Sequence, residues 1–400
     1  MRSGIKGLII TAAFIGPGTV TTATLVGAQT GYALLWLLIF AIFATFVLQE
    51  MASRLGSVSG IGLSEAIMSQ LSSTWIKWLI GALIVVAIGV GNAAYEGGNI
   101  TGAALGLSSS FGGSIQLWAL GLGAIALILL MAGHYSLVEK CLVGLVVIMS
   151  LVFITLMIVV GINVSLFTQG LLLNAPIMSN TALALAIVGT TIVPYNLFLH
   201  AGLSAQDKQK SLAKRNSSSE YKSQKTELFV SIGIGGLVTF AILSSSVTAF
   251  FVTQVTVEPA NIANQLTPLL GQHAGVFFGI GLFAAGLTSA ITAPLAAAYA
   301  ISGLFGWGTH LKDVRFKLLS VVIVIIGTAV STMGLKPISL IIVAQTANAM
   351  LLPISVVLLV WVCNRKSLLG QYKNGLITNA AAGIVVVLVL ALAGYKLFFN

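Results

Sequence analysis

Gly16-Pro17-Gly18-Thr19 interrupts the first apolar segment of the chain, which runs from about residue 5 to residue 27. Proline removes a backbone hydrogen-bond donor and clashes with the preceding turn, and the two glycines loosen the backbone around it. Backbone groups that are freed inside hydrocarbon are costly unless a polar group meets them. We therefore predict that this break lines a polar cavity and does not face lipid.

Apolar segments of membrane-spanning length recur along all 400 residues, of which 58% are hydrophobic and 7% charged. This composition predicts a single all-α polytopic membrane domain over residues 1–400. Eleven spans are predicted, at about 7–28, 32–53, 76–106, 115–132, 137–162, 181–205, 228–253, 274–305, 316–333, 338–362 and 375–398. The two cysteines lie in apolar segments and indicate neither a disulfide framework nor a zinc site. No cofactor is expected.

The net charge of +10 follows the predicted topology. With the N-terminus inside, 17 of the 19 lysines and arginines fall on the cytoplasmic side, and only Lys336 and Lys396 fall outside. The positive-inside rule then predicts a multi-pass protein of the plasma (inner) membrane, with a cytoplasmic N-terminus and an extracytoplasmic C-terminus. The excess of basic residues is explained by their position on the cytoplasmic side of the lipid bilayer, which is the expected partner. No nucleic-acid partner is expected.

A second break, Val193-Pro194-Tyr195-Asn196, lies in the sixth span, five spans after the first. Interrupted helices at matching positions of two halves are typical of inverted-repeat transporters, whose site lies at the membrane midplane. We expect repeat one over about 7–162, repeat two over about 181–362 and an extra helix over 375–398. Two simple proline kinks are the alternative.

Hydroxyl and amide side chains surround both breaks. Thr19, Thr21 and Thr22 fall at the start of the half-helix after the first break, where free N–H groups favour a negative group. Thr190 precedes the second break, where unwound carbonyls could accept a cation or a donor. Gly16, Gly18, Val193, Tyr195, Asn196 and Gln345 complete the predicted substrate site. Each threonine could instead bond to its own helix.

Glu96 is the acidic residue that we place deep in a span, and such a carboxyl is a functional candidate. Asn92 and Asn99 can share its helix face. His200 lies four residues after Asn196, one turn beyond the second break. We predict a proton pathway through Glu96 and His200; a packing role for Glu96 and a helix-to-helix hydrogen bond for His200 are the alternatives.

Several long blocks carry a resemblance to a known family. They are GAQTGYALLW (27–36), LQEMASRLGSVSG (48–60), VEKCLVGLVVIMSL (138–151), AIVGTTIVPYNLFLHAGL (186–203), LFAAGLTSAITAPLA (282–296) and the stretch 345–353. The chain resembles the natural-resistance-associated macrophage protein (NRAMP) family through spans 1–10. The resemblance implies a LeuT-like fold of two inverted five-helix repeats plus an eleventh helix. It also implies import of manganese, iron or related divalent metals together with protons.

The chain departs from the family at the metal site. The family's first break reads Asp-Pro-Gly-Asn, and Gly16 and Thr19 stand at its aspartate and asparagine positions. The second break reads Met-Pro-His-Asn with an alanine three residues earlier, and Val193, Tyr195 and Thr190 stand at the methionine, histidine and alanine positions. The family's span-3 aspartate position is Ala93, whereas Glu96, His200 and Gln345 are retained.

A divalent cation without water needs strong ligands, and methionine adds selectivity for soft metals. Because the breaks carry no acid, the main prediction is an alternating-access, proton-coupled secondary transporter of a small anionic or zwitterionic solute. A carboxylate, an amino-acid-like molecule or bicarbonate would fit. The alternative is a proton-coupled transporter of Mn, Fe or Mg cations through a rebuilt site. A non-transporting receptor using the polar, flexible loop 207–226 is a third possibility. No nucleophile–base pair indicates an enzyme.

Overall fold

The computed structural model describes residues 15–132, 136–171, 180–211, 217–309 and 313–399. Its longer helices in chain order are α1 (Pro17–Thr30), α2 (Leu35–Ser59), α3 (Leu63–Ser69), α4 (Thr74–Phe111), α5 (Ile115–Ala132), α6 (Ser136–Val160), α7 (Val164–Leu171), α8 (Thr181–Thr191), α9 (Pro194–Ser211), α10 (Ser217–Ser246), α11 (Ala274–Phe305), α12 (Val314–Thr332), α13 (Pro337–Cys363) and α14 (Leu376–Phe399). Short helical turns connect several of them, and the described ranges contain no strand.

Ten helices of the described ranges are long and apolar enough to cross a membrane, which confirms the all-α polytopic prediction. The first predicted span is described only from residue 15, so most of its first half lies outside the described residues. The third is longer than predicted: α4 covers 38 residues and contains a π-helical segment over Val85–Val90.

The predicted loop 207–226 differs from the structure. Helix α9 continues to Ser211 and α10 begins at Ser217, while residues 212–216 lie outside the described ranges. The sequence from residue 220 to 225 is rich in Glu, Lys and Gln, which are good helix formers without any apolar periodicity. The polar composition therefore does not separate a loop from a helix that extends out of the membrane.

Both prolines of the breaks begin a helix. Pro194 is the first residue of α9, and residues 192 and 193 separate it from α8. Pro17 opens α1 after Gly16, whose backbone is extended at φ −92° and ψ 174°. A proline at the first helical position loses no intrahelical hydrogen bond, because that N–H would be unpaired in any case. The sequence therefore places each proline where a half-helix begins.

The second half of α4, Gly91–Phe111, is largely buried and packs against α11, α12 and α13. Small residues allow this close packing: a Cβ on Gly102 would lie 2.2 Å from the Pro17 Cβ, and one on Gly106 would lie 2.6 Å from the Gly279 carbonyl oxygen. Close approach at small residues is the usual way in which membrane helices associate. It brings the first break directly against α4.

The approach of α8 to α13 gives a stability prediction. A Cβ on Gly189 would lie 2.0 Å from the Gln345 carbonyl oxygen, so Gly189→Ala forces the two helices apart. We expect a loss of about 1–3 kcal/mol and a lower unfolding midpoint in detergent. The control is Gly233→Ala, where a Cβ meets nothing within 4 Å. Equal midpoints for the two variants would contradict this packing.

Candidate substrate site at the helix breaks

The two breaks meet in the interior. The hydroxyl of Thr19, two residues after Pro17, lies 3.0 Å from the hydroxyl of Thr190 at the end of α8, and the pair is buried. These residues are 171 positions apart in the sequence. The structure thus joins the residues that the sequence predicted on either side of the site.

Gln345 on α13 covers the first break. A Cβ on Gly18 would lie 1.9 Å from Gln345 Nε2, so only glycine leaves room for this amide. Gln345 Oε1 is buried and has no hydrogen-bond partner among the described residues. An acceptor oxygen is therefore available beside the break.

A pair of tyrosines closes the site next to Gln345. The rings of Tyr95 and Tyr195 meet edge to face with centroids 5.4 Å apart. The position of Gly16 faces the same group: a Cβ there would lie 3.0 Å from the Ser289 hydroxyl on α11 and 3.8 Å from the Tyr95 hydroxyl. The site is thus built from α1, α4, α8, α9, α11 and α13.

A small cavity of about 10 Å³ adjoins the Thr19–Thr190 pair. It is lined by five threonines and four apolar or glycine residues: Thr19, Thr45, Thr190, Thr191, Thr239, Ile42, Ile232, Gly235 and Gly236. Such a volume has room for about one water molecule. The lining is hydroxyl-rich and uncharged.

The remaining predicted site residues are buried. Thr21 and Thr22 are fully buried on α1, and their hydroxyl oxygens have no hydrogen-bond partner among the described residues. Val193 lies in the second break, where its carbonyl accepts the Asn196 N–H at 3.1 Å. The apolar Val193 side chain adds no ligand at this position.

Glu96 and His200 lie in separate hydrogen-bonding groups. Glu96 is fully buried; its Oε2 accepts from Asn99 Nδ2 at 3.2 Å, and its Oε1 has no partner within the described ranges. Asn92 instead donates to the Ala293 carbonyl on α11 at 2.9 Å, so only Asn99 joins the predicted cluster. His200 Nδ1 lies 2.8 Å from Gln49 Oε1 on α2, which is the helix-to-helix bond that the sequence left as an alternative.

Sequence reasoning missed the residues that satisfy the second break. Thr45 on α2 donates to the Thr191 carbonyl at 3.0 Å, and Asn348 on α13 donates to the Gly189 carbonyl at 3.3 Å. It also missed Tyr95 and Ser289. Asn348 follows Gln345 by three residues on one helix face, and this spacing is the only sequence signal that could have identified it.

The described residues contain no group of three or more His, Cys, Asp or Glu side chains that could hold a metal ion. The groups at the breaks are hydroxyls, amides and backbone carbonyls. Their chemistry allows hydrogen bonding to a solute or coordination of a hard cation through neutral oxygens.

Membrane-crossing helices, a helix interrupted at residues 192 and 193, a proline that opens a helix after Gly16 and a buried polar centre are typical of a membrane transporter with a LeuT-like fold. Residues 7–399 match the model of the natural resistance-associated macrophage protein-like family, and the chain belongs to this family. The family resemblance in the sequence is thereby confirmed.

Two relatives match along nearly the whole chain. The divalent metal cation transporter MntH of Acidiphilium cryptum is 28% identical over 390 residues, which cover 95% of this chain and 87% of the relative. The protein of the same name from Aeromonas hydrophila is 25% identical over 394 residues, covering 96% and 92%. These relatives favour the divalent-metal alternative over a small anionic solute.

Solved structures agree in fold. A mutant of the Eremococcus coleocola manganese transporter superposes with a TM-score of 0.73 at 20% identity and covers 96% of this chain and 84% of its own. MhsT in complex with L-phenylalanine superposes with a TM-score of 0.56 at 18% identity and covers 97% of this chain and 98% of its own. At these identities the similarity concerns the fold alone, and it confirms the LeuT-like architecture.

The Thr19–Thr190 contact predicts an energetic coupling between the two breaks. Thr19→Val and Thr190→Val should each destabilise the protein, while the double variant should lose about 0.6 kcal/mol less than their sum. Unfolding midpoints in detergent, combined in a double-mutant cycle, measure the coupling. The control cycle pairs Thr19→Val with Thr328→Val. The Thr328 hydroxyl donates to the Val324 carbonyl on its own helix. Additive effects of Thr19→Val and Thr190→Val would contradict the contact.

Proposed function

We propose that this protein carries a divalent metal cation across the membrane by alternating access, with the ion passing between the breaks at Gly16–Thr19 and Thr190–Asn196. Support comes from relatives named as divalent metal cation transporters that match along nearly the whole chain. The structural observation that carries the proposal is the buried, unpartnered oxygen of Gln345 beside the first break. No group among the described residues donates a hydrogen bond to this oxygen.

The ligand set favours a hard and partly hydrated ion. Hydroxyl, amide and carbonyl oxygens suit Mg²⁺ or Mn²⁺, and Mg²⁺ usually keeps several of its waters. Val193 replaces the thioether that the family resemblance led us to expect, so the site loses its preference for soft metals. We therefore rank Mg²⁺ and Mn²⁺ above softer transition metals as substrates.

Charge balance assigns a role to Glu96. A dication among neutral oxygens is unfavourable in a low-dielectric interior unless an anion lies nearby. Glu96 follows Tyr95 on α4, and the Tyr95 hydroxyl lies 3.8 Å from where a Cβ on Gly16 of the first break would be. A bound cation favours the ionised carboxylate, so cation binding releases the Glu96 proton. This linkage couples protons to the cation without a carboxylate in direct contact with it.

A small anionic or zwitterionic solute is the second candidate. The specific observation in its favour is the neutral first break, where Gly16 carries no carboxylate and the first N–H groups of α1 lack intrahelical partners. A carboxylate could accept from those N–H groups and from Thr19.

The proposal also covers the orientation of the chain in the membrane and its division into two repeats. The positive-inside distribution supports a cytoplasmic N-terminus and an extracytoplasmic C-terminus in the inner membrane. The repeats would cover about 7–162 and 181–362, with the helix at 375–398 added to them. The first half of span 1 and α9, which is the second half of span 6, would move with neighbouring spans around the fixed centre formed by the breaks.

Flux measurements separate the two substrates. Proteoliposomes are loaded with a Mg²⁺- or Mn²⁺-sensitive dye, and uptake of labelled small acids is measured in parallel. We expect cation entry, and a loss of roughly tenfold or more in Gln345→Ala because the oxygen beside the break is removed. Gln116→Ala, on the exposed surface of α5, is the matched control. Entry of a small acid without either cation would establish the second candidate.

A second experiment tests the proton linkage. Glu96→Gln keeps the shape and the Asn99 contact but cannot release a proton, so cation entry should no longer respond to a pH gradient. Uptake is compared with and without an inward proton gradient. Glu258→Gln, in an exposed turn, is the control. A gradient response equal to that of the unmodified protein would exclude Glu96 as the coupling group.

A further inference from the structure

A groove of about 360 Å³ opens on the side of the bundle, away from the helix breaks. It lies between α2, the first membrane turn of α10, the turn before α14 and α14 itself. It is lined by Phe43, Phe46, Val47, Glu50, Arg54, Lys225, Tyr372, Lys373, Ile377, Thr378 and Ala381. Charged residues occupy one end of this lining and apolar residues the other. Neither proposed substrate needs this surface.

The charged end carries an excess of cations. Arg54 pairs with Glu50 on the same helix, with Nε to Oε1 at 3.1 Å and Nη2 to Oε2 at 3.2 Å. Lys225 and Lys373 are both exposed at the rim, and Glu50 is the only carboxylate in the lining. Two positive charges therefore remain beyond the internal ion pair, and they suit a phosphate group.

Arg54 also fixes the rim on which Lys373 lies. Its guanidinium donates to the Tyr372 carbonyl, and Nη2 donates to Asn374 Oδ1 at 2.9 Å. Asn374 Nδ2 in turn donates to Asn379 Oδ1 on α14 at 2.9 Å. The turn is thus anchored to α2 on one side and to α14 on the other, so the position of Lys373 is preset.

The other end of the groove is apolar and exposed. Phe43 is 57% exposed and Ile377 is 85% exposed on the outer face of the bundle. Phe46 supports the wall by packing edge to face on Phe229 of α10, with centroids 5.4 Å apart. Exposed aromatic and aliphatic side chains on a membrane helix face hydrocarbon.

We propose that this groove binds one anionic phospholipid of the cytoplasmic leaflet, with the phosphate between Lys225 and Lys373 and an acyl chain along Phe43 and Ile377. The positive-inside distribution puts this basic end at the cytoplasmic surface, where anionic lipids and basic residues attract each other. The bound lipid connects α14 to α2 and α10. The inference does not depend on which substrate the protein carries.

The test is lipid retention by the full chain. The protein is reconstituted in nanodiscs of equal phosphatidylglycerol and phosphatidylcholine, and lipids that stay bound on release are identified by native mass spectrometry. We expect the protein to retain one phosphatidylglycerol molecule. The fraction of protein that retains this lipid should fall roughly tenfold in Lys225→Gln/Lys373→Gln. The double variant Lys77→Gln/Lys366→Gln removes the same charge at the same end but outside the groove, and it should retain the lipid.

Two further measurements distinguish the source of the phosphate. Lys225→Arg/Lys373→Arg should restore retention, because the charges are kept. Excess glycerol phosphate should leave the lipid bound, because it lacks the acyl chain. Equal loss in the two glutamine double variants, or displacement by glycerol phosphate, would overturn the proposal. Retention of phosphatidylcholine at the same level as phosphatidylglycerol would also overturn it.

Discussion

Backbone groups that are released where a membrane helix is interrupted must find partners inside the protein, because hydrocarbon offers none. In this structure the partners come from neighbouring helices. Thr45 and Asn348 satisfy carbonyls before the second break, and Thr19 and Thr190 bond to each other between the breaks. Helices α2 and α13, which pack against α8, are the elements that supply the Thr45 and Asn348 donors.

The same requirement explains the polarity of the centre. A hydroxyl or an amide can satisfy a carbonyl without adding a charge, so a bundle can keep broken helices and remain neutral there. The one fully buried carboxylate among the described residues, Glu96, lies on α4 beside the site and not within the breaks. In the proposed function, a cation bound at the centre would favour the ionised form of this carboxyl group on an adjacent helix, and that linkage would couple protons to the cation.

The sequence predicted the breaks, Gln345 and Glu96 because prolines and polar groups are rare inside apolar segments and each has few acceptable explanations. It did not predict Tyr95, Ser289, Thr45 or Asn348, since their roles depend on which helix lies opposite. Asn92 shows the same limit: its spacing fits the Glu96 face, but the Ala293 carbonyl on α11 is its partner. The helix at the start of α10 was missed because a polar composition is compatible with either a loop or an exposed helix.

The scaffold and the chemistry of the candidate site favour different substrates. The fold is that of a family whose relatives include divalent metal cation transporters, whereas Gly16 and Val193 supply no side-chain ligand. The structure relates these two observations. Position 16 faces the hydroxyls of Ser289 and Tyr95, and Gln345 fills the space above Gly18. Neutral oxygens from α4, α11 and α13 thus surround the positions where charge is missing. A weakly coordinated, hydrated cation is the metal substrate most compatible with that arrangement.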